Sequence, residues 1–196
     1  EGTLGVVVDA DLSLVTVPEE TALALYCYED LLDAMRAVPT ALDHDASAVE
    51  LMDDEVFRLA RESTEFAAYA EPIPEDAGAA LMLEFDSELH ENLTAAVDAA
   101  DDVFLRGNPQ IGVGHGRAFD ALHAFDDDDQ RELWKLRKAA IPLLMSLEGD
   151  AKPYPFIEDA SVPPETLAEY VEQFERVLAD RDTSAAYFAH AGAGTL

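Results

Sequence analysis

The stretch from Leu23 to Met52, LALYCYEDLLDAMRAVPTALDHDASAVELM, decides the fold. Residues 23–28 read as an apolar strand, and 30–42 as a helix carrying Leu31, Leu32, Met35 and Val38 at helical spacing. Residues 48–52 return as a short strand, and Asp53 is placed to cap a helix running through Arg61. Upstream, 6–17 alternates and is rich in Val and Leu, with Pro18 closing it, which predicts a strand pair or one long strand. Downstream, a loop marked by Pro72, Pro74 and Gly78 leads to a strand over 80–85, a helix over 90–106 and a glycine-rich connector over 107–116. A strand is predicted over 118–125 and a helix over 126–147, which Pro142 should kink or end because it removes a backbone donor. Residues 154–158 are strand-like, 164–179 a helix and 185–190 a final strand. In the 164–179 helix Leu167, Tyr170, Val171, Phe174, Val177 and Leu178 form one stripe, with Pro163 and Pro164 at its start. Several strands are separated by too little chain for repeated parallel crossovers. The expected class is therefore α+β: a mainly antiparallel sheet with helices packed on one face, ferredoxin-like, plus a helical segment.

Composition bounds the function. The chain has 196 residues, 49% of them hydrophobic, enough for a core. Its 42 acidic residues against 12 basic ones leave a net charge of −30, which repels phosphate backbones and argues against a nucleic-acid partner. Lysine is reduced to Lys135, Lys138 and Lys152, and acids are spread along the whole chain. That pattern reads as a halophilic surface, adapted to salt that screens self-repulsion. No apolar run is long enough for a membrane span, and no signal peptide is visible. The abrupt start without Met is read as that of a piece excised from a longer polypeptide. Cys27 stands alone, which excludes an internal disulfide and makes a reducing cytoplasm the expected compartment. It alternates with Leu23 and Leu25, as a buried, inert thiol would.

Three segments could carry chemistry. Glu1, Gly2, Thr3, Leu4 and Gly5 form either a tight turn or a close backbone approach to a ligand. Trp134, Arg137 and Ile141 share a helix face beside the stripe Leu133, Leu136, Ala140 and Leu144. Arg137 is then either a guanidinium fork for a carboxylate or a surface Arg whose stem covers apolar area. Lys152 follows as the last lysine. His190 leaves a strand into a glycine-rich turn, as a metal ligand, an acid–base group or a packing residue. Asp126 to Asp129 suit the first turn of a helix better than a cation. The run from Gly112 to Gly116 misses the GxGxxG spacing of a dinucleotide site.

Read in order, EGTLGVVVDADLSLVTVP, AVELMDDEVFRLA, LWKLRKAAIPLL, PYPFIEDASVPPETLAEYVEQF and YFAHAGAGTL resemble one family. It is the FAD-linked oxidases of the vanillyl-alcohol oxidase type, nearest the D-2-hydroxy-acid dehydrogenases with iron–sulfur modules. The resemblance implies that 1–17 is the exit strand or strands of the FAD-binding domain and 18–196 the substrate-side C-terminal (cap) domain, truncated at its C-terminus. It implies oxidation of a D-2-hydroxy acid (D-lactate, glycolate or D-2-hydroxyglutarate) by hydride transfer to FAD. Arg137 would pair with the substrate carboxylate, assisted by Lys152. His190 would be one ligand of a divalent metal at the substrate hydroxyl. The backbone from Glu1 to Gly5, together with Trp134, would touch the flavin. Partners implied are the small-molecule 2-hydroxy acid, the FAD-binding domain of the same polypeptide and an iron–sulfur electron acceptor, with 4Fe-4S clusters elsewhere in the full-length protein.

This chain departs from the pattern at Ile141, where D-2-hydroxyglutarate-type members carry a hydroxyl-bearing residue, and at Ala193 and Thr195, where many relatives have Asp and Asn. A second metal-binding His and a carboxylate ligand would lie past Leu196, so the fragment alone is expected to be inactive. The other reading is a non-catalytic, ferredoxin-like small-molecule-binding regulatory domain. The net charge of −30 generates a test of its own. Thermal melts from dilute buffer to about 1 M salt, where the Debye length is near 3 Å, should show a rising midpoint. A flat or falling midpoint contradicts the halophilic reading.

Overall fold

In a computed structural model of the chain, residues 3–106, 116–147, 149–150, 152–154, 157 and 160–196 are described. Strand β1 (Thr21–Tyr28) leads into helix α1 (Leu31–Asp43), strand β2 (Ala48–Asp53) and helix α2 (Asp54–Glu62). The short helix α3 (Ala67–Ala70), strand β3 (Ala79–Asp86), helix α4 (Leu93–Phe104) and strand β4 (Asp120–Ala124) follow. Helices α5 (Asp127–Lys138), α6 (Ala140–Met145) and α7 (Leu167–Ala179) precede strand β5 (Phe188–Ala189). Four helix starts are fixed by side-chain caps: Asp30, Asp53, Asn92 and Asp126 each accept from backbone N–H groups of the first turn. Helix α5 also carries Asp127, Asp128 and Asp129 at its start and Lys135, Arg137 and Lys138 at its end, matching the helix dipole.

The five strands form one antiparallel sheet in the order β4-β1-β3-β2-β5. Two β-α-β units interleave in it: β1-α1-β2 is split by β3, and β3-α4-β4 by β1. That is the expected ferredoxin-like arrangement, with β5 added outside β2.

Helices cover both faces rather than one. Tyr26, Leu51, Leu81, Leu83 and Phe85 pack under α1, α4 and α7. Leu23, Leu25, Met52 and Met82 pack under α2, α3, α5 and α6. The cause lies in the central strands: β1 and β3 are apolar at successive positions, so neither face can meet water. Cys27 lies in the second layer, where burial pushes its thiol up to about 12, so no thiolate exists near neutral pH.

Other expectations are corrected. Residues 6–17 form no strand; Val6, Val8, Leu12, Leu14 and Val17 are exposed, because their backbone finds no neighbouring strand among the described residues. The helix over 126–147 is two, and the break expected of Pro142 falls at Ala139 between α5 and α6, because the proline ring clashes with a carbonyl four residues back and offers no N–H. The final strand shrinks to Phe188–Ala189, paired with Met52 and Leu51. Tyr154 lies in no strand, and Pro155, Phe156 and Glu158 of that expected strand fall outside the described residues, as does most of the 107–116 connector.

Just past the β2–β5 ladder, Asp53 is 4% exposed. Its carboxylate accepts from Tyr187 N–H at 2.5 Å and Val56 N–H at 3.2 Å, tying β5 to the start of α2. Desolvation outweighs these bonds and, with Asp54 and Glu55 nearby, pushes the carboxyl up to about 7. The native state therefore holds a proton that the unfolded chain has lost. Stability from this group is complete below the ordinary carboxylate range and is lost as pH rises through about 7. Asp53→Asn keeps an acceptor for the cap without the charge. Chemical denaturation should show this variant gaining on the wild type from about pH 4 to about pH 8, by at most roughly 4 kcal/mol. A difference that does not change with pH contradicts the assignment.

Candidate functional site

Before its last residue, Asp53, strand β2 reads apolar except at Glu50, whose side chain points to the same face as Met52. Glu50 is 7% exposed, so its charge must find partners within the protein. Two arrive from different elements. Helix α5 crosses this face anchored at both ends. At its start Gln130 accepts from Thr21 Oγ1 at 2.7 Å and donates to the Thr21 carbonyl at 2.8 Å. At its end Arg137, 8% exposed, donates Nε–H to Glu50 Oε2 at 2.9 Å, with Nη2 in ion-pair contact 2.8 Å from the same oxygen. The Arg137 guanidinium carbon also lies 5.3 Å from the centre of the Phe188 ring, so an aromatic face from β5 steadies the fork.

The second partner is His190. It follows β5 at the place the β2–β5 register sets opposite Glu50, and its Nδ1 is 2.8 Å from Glu50 Oε1. A single 3-10 turn over Ala191–Ala193 folds the chain back, so that the His190 carbonyl accepts from Ala193 and Thr195 N–H. Gly194 closes this turn at φ 65°, and a Cβ there would stand 1.8 Å from the Val162 carbonyl oxygen, so only glycine fits. Gly194 and Val162 join backbone to backbone at 2.9 Å, which ties the His190 turn to the segment before α7.

Arg137 and His190, 53 residues apart in sequence, thus meet on one carboxylate. Glu50 was not among the expected site residues. The available signal was a lone acid inside the apolar run AVELM, hidden by the abundance of acids elsewhere. The remaining candidates are not brought to this point. Lys152 Nζ donates to the Leu147 carbonyl and makes no contact with Arg137, Glu50 or His190 among the described residues. Trp134 lies half-buried one turn before Arg137, packed on the second core layer, with Lys138 Nζ 5.8 Å from its ring centre. Thr3, Leu4 and Gly5 are exposed, and a Cβ built at Gly5 would meet nothing within 4 Å beyond its chain neighbours; Glu1 and Gly2 lie outside the described residues.

Two cofactors can be tested against these residues. Among the described residues no group of three or more His, Cys, Asp or Glu side chains could hold a metal, so a divalent ion bound by this chain's residues alone does not fit. Nor does FAD suit a concavity of about 690 Å³ lined by Glu19, Glu20, Glu91 and Asp127, which takes in none of Arg137, Glu50 and His190. Its carboxylates repel both a pyrophosphate and a carboxylate ligand. What the chain offers at the Glu50 cluster is a guanidinium edge and an imidazole, groups suited to an anion bearing a proton-donating neighbour.

Comparison with known proteins points the same way. The family model described as FAD linked oxidases, C-terminal domain, matches residues 17–196. D-2-hydroxyglutarate dehydrogenase of Pseudomonas putida is 29% identical over 200 residues, covering 100% of this chain and 19% of that protein. The Escherichia coli protein of the same name is 31% identical over 203 residues, again 100% of this chain and 19% of the relative. D-lactate dehydrogenase of Anaerostipes hadrus is 27% identical over 199 residues, 100% of this chain and 39% of its own length. The chain therefore spans about a fifth of the D-2-hydroxyglutarate dehydrogenases it matches. From β1 to the turn after His190, the chain belongs to the FAD-linked oxidase C-terminal domain family.

Proposed function

We propose that this chain is the substrate-side domain of an FAD-dependent dehydrogenase that oxidises a D-2-hydroxy acid. The reading is carried by one observation: Arg137 and His190 share the buried carboxylate of Glu50 in a domain of this family. Oxidising a 2-hydroxy acid removes the hydroxyl proton and the C2 hydride; FAD, bound by other parts of the longer protein, supplies the hydride acceptor. Arg137 has its Nε–H on Glu50, with Nη2 in ion-pair contact, and N–H groups turned away from Glu50 hold the substrate carboxylate. His190 presents Nε2 at the hydroxyl end. Lys152 assists at the carboxylate once it exchanges the Leu147 carbonyl for substrate. Trp134 and the backbone from Glu1 to Gly5 face the flavin. Ile141, half-exposed one turn beyond Arg137, leaves an apolar contact for the substrate side chain, which favours a short hydroxy acid such as D-lactate over a dicarboxylate.

The exposed apolar residues of 3–17 fit a strand that completes the FAD-binding domain, with 18–196 as the cap domain. No helix among the described residues is long and apolar enough to cross a membrane. We place the protein in the cytoplasm, passing electrons to an iron–sulfur acceptor.

In the full-length protein Arg137→Ala should lower kcat/KM for the preferred D-2-hydroxy acid roughly 10- to 100-fold, the loss of about 1.5–3 kcal/mol of charge-assisted hydrogen bonding. Arg137→Lys, which keeps the charge and loses the fork, should recover part of it. Unchanged kinetics in a folded Arg137→Ala protein reduces Arg137 to a structural ion pair. The isolated chain should purify colourless and oxidise no 2-hydroxy acid. Bound FAD or turnover would place the complete site within these residues.

A further inference from the structure

Glu50 has a position that packing alone does not explain. It sits in mid-strand on a face otherwise filled by Met52, Met82 and the apolar side of α5. Desolvating a carboxylate there costs several kcal/mol, and an apolar residue of similar volume is often neutral or stabilising in place of such a buried ionic group. What a hydrophobe could not do is divide two oxygens between two partners. Oε2 takes Arg137 through the Nε–H hydrogen bond and the close Nη2 contact, which turns one edge of the guanidinium toward Glu50 and the Nη1 corner away from it. Oε1 takes Nδ1 of His190.

A carboxylate only accepts, so the proton of a neutral His190 ring resides on Nδ1 and Nε2 carries a bare lone pair. The His190 side chain is 67% exposed, so the end of the ring away from Glu50 is open to a ligand. We propose that Glu50 is the positioning residue of this site, setting the edge that Arg137 presents and the tautomer of His190 through a single side chain. The inference rests on the 2-hydroxy-acid reading above for the identity of the substrate, and on the hydrogen bonds alone for the positioning. It explains why an anion-binding group and a lone-pair donor from distant elements are held together: both answer to one strand residue.

The test is ring-nitrogen NMR of this 196-residue chain with ¹⁵N-labelled histidine, at a pH where the ring is neutral. The wild type should show His190 protonated at Nδ1 and bare at Nε2. Glu50→Ala should reverse this to the Nε2–H form that free imidazole side chains prefer in water. Because Glu50→Ala leaves a buried guanidinium unpaired and could unfold, Glu50→Ala combined with Arg137→Met supplies a version without that charge. It should show the same reversal. A wild type already protonated at Nε2, or a tautomer unchanged in either variant, overturns the proposal. In the full-length protein Glu50→Gln, which keeps one acceptor oxygen for His190 but sets an NH2 donor against Arg137, should lower kcat/KM roughly 10- to 100-fold through loss of the Arg137 orientation. It should keep the Nδ1–H tautomer. If the tautomer behaves as described while no 2-hydroxy acid is oxidised by the wild type, the functional reading fails and the positioning role stands. If oxidation proceeds and Glu50→Gln leaves it untouched, the positioning role fails.

Discussion

Both faces of the two central strands are apolar, and the rest of the molecule follows from that constraint. A strand like β1, buried at nearly every position, cannot turn one side to water, so the ferredoxin-like sheet needs a second cover beyond α1 and α4. The second cover is built from α2, α3, α5 and α6, and laying α5 across it carries Arg137 from the β1 side of the sheet to β2. The Glu50 cluster is thus a by-product of closing the core. Remove the need for a second layer and there is no reason for Arg137 to stand over Glu50.

Within that layer the Glu50 cluster and Asp53 show two solutions to a buried acid. Glu50 keeps partners with ionisable N–H groups, Arg137 and His190, on both oxygens. Asp53 has only backbone N–H donors, and desolvation pushes it up to about 7. They lie three residues apart on β2 and its exit, yet one is suited to hold a site together and the other to join β5 to α2. The distinction comes from what stands opposite each one: a His at the continuation of the ladder for Glu50, a main-chain amide for Asp53.

Much of this was legible in the sequence because it depends on local signals. The β1-α1-β2 unit, the cap at Asp53 and the stripe of α7 rest on spacing and on residues a few positions apart, and the structure keeps them with small shifts of boundary, except that Val177 of the stripe is exposed. Arg137 at the edge of the α5 stripe was visible for the same reason. What was not visible depends on distant partners. Alternation over 6–17 predicts a strand only if another strand lies beside it, and none does among the described residues. The kink expected from Pro142 is there, but it falls three residues upstream, at Ala139, where continuity of apolar residues hid its position. Glu50 is 87 residues from Arg137 and 140 from His190, and in a chain with 42 acids one more carries no mark of its own.

The central claim is that the cluster around Glu50 is where a 2-hydroxy acid is held. A crystal structure of the full-length protein with D-lactate or a non-reacting analogue tests it most directly. The account predicts the ligand carboxylate within about 2.7–3.2 Å of the Arg137 guanidinium, its hydroxyl toward His190 Nε2, and Glu50 still bonded to both residues. A ligand bound elsewhere, with Arg137 and His190 engaged only by Glu50, contradicts it.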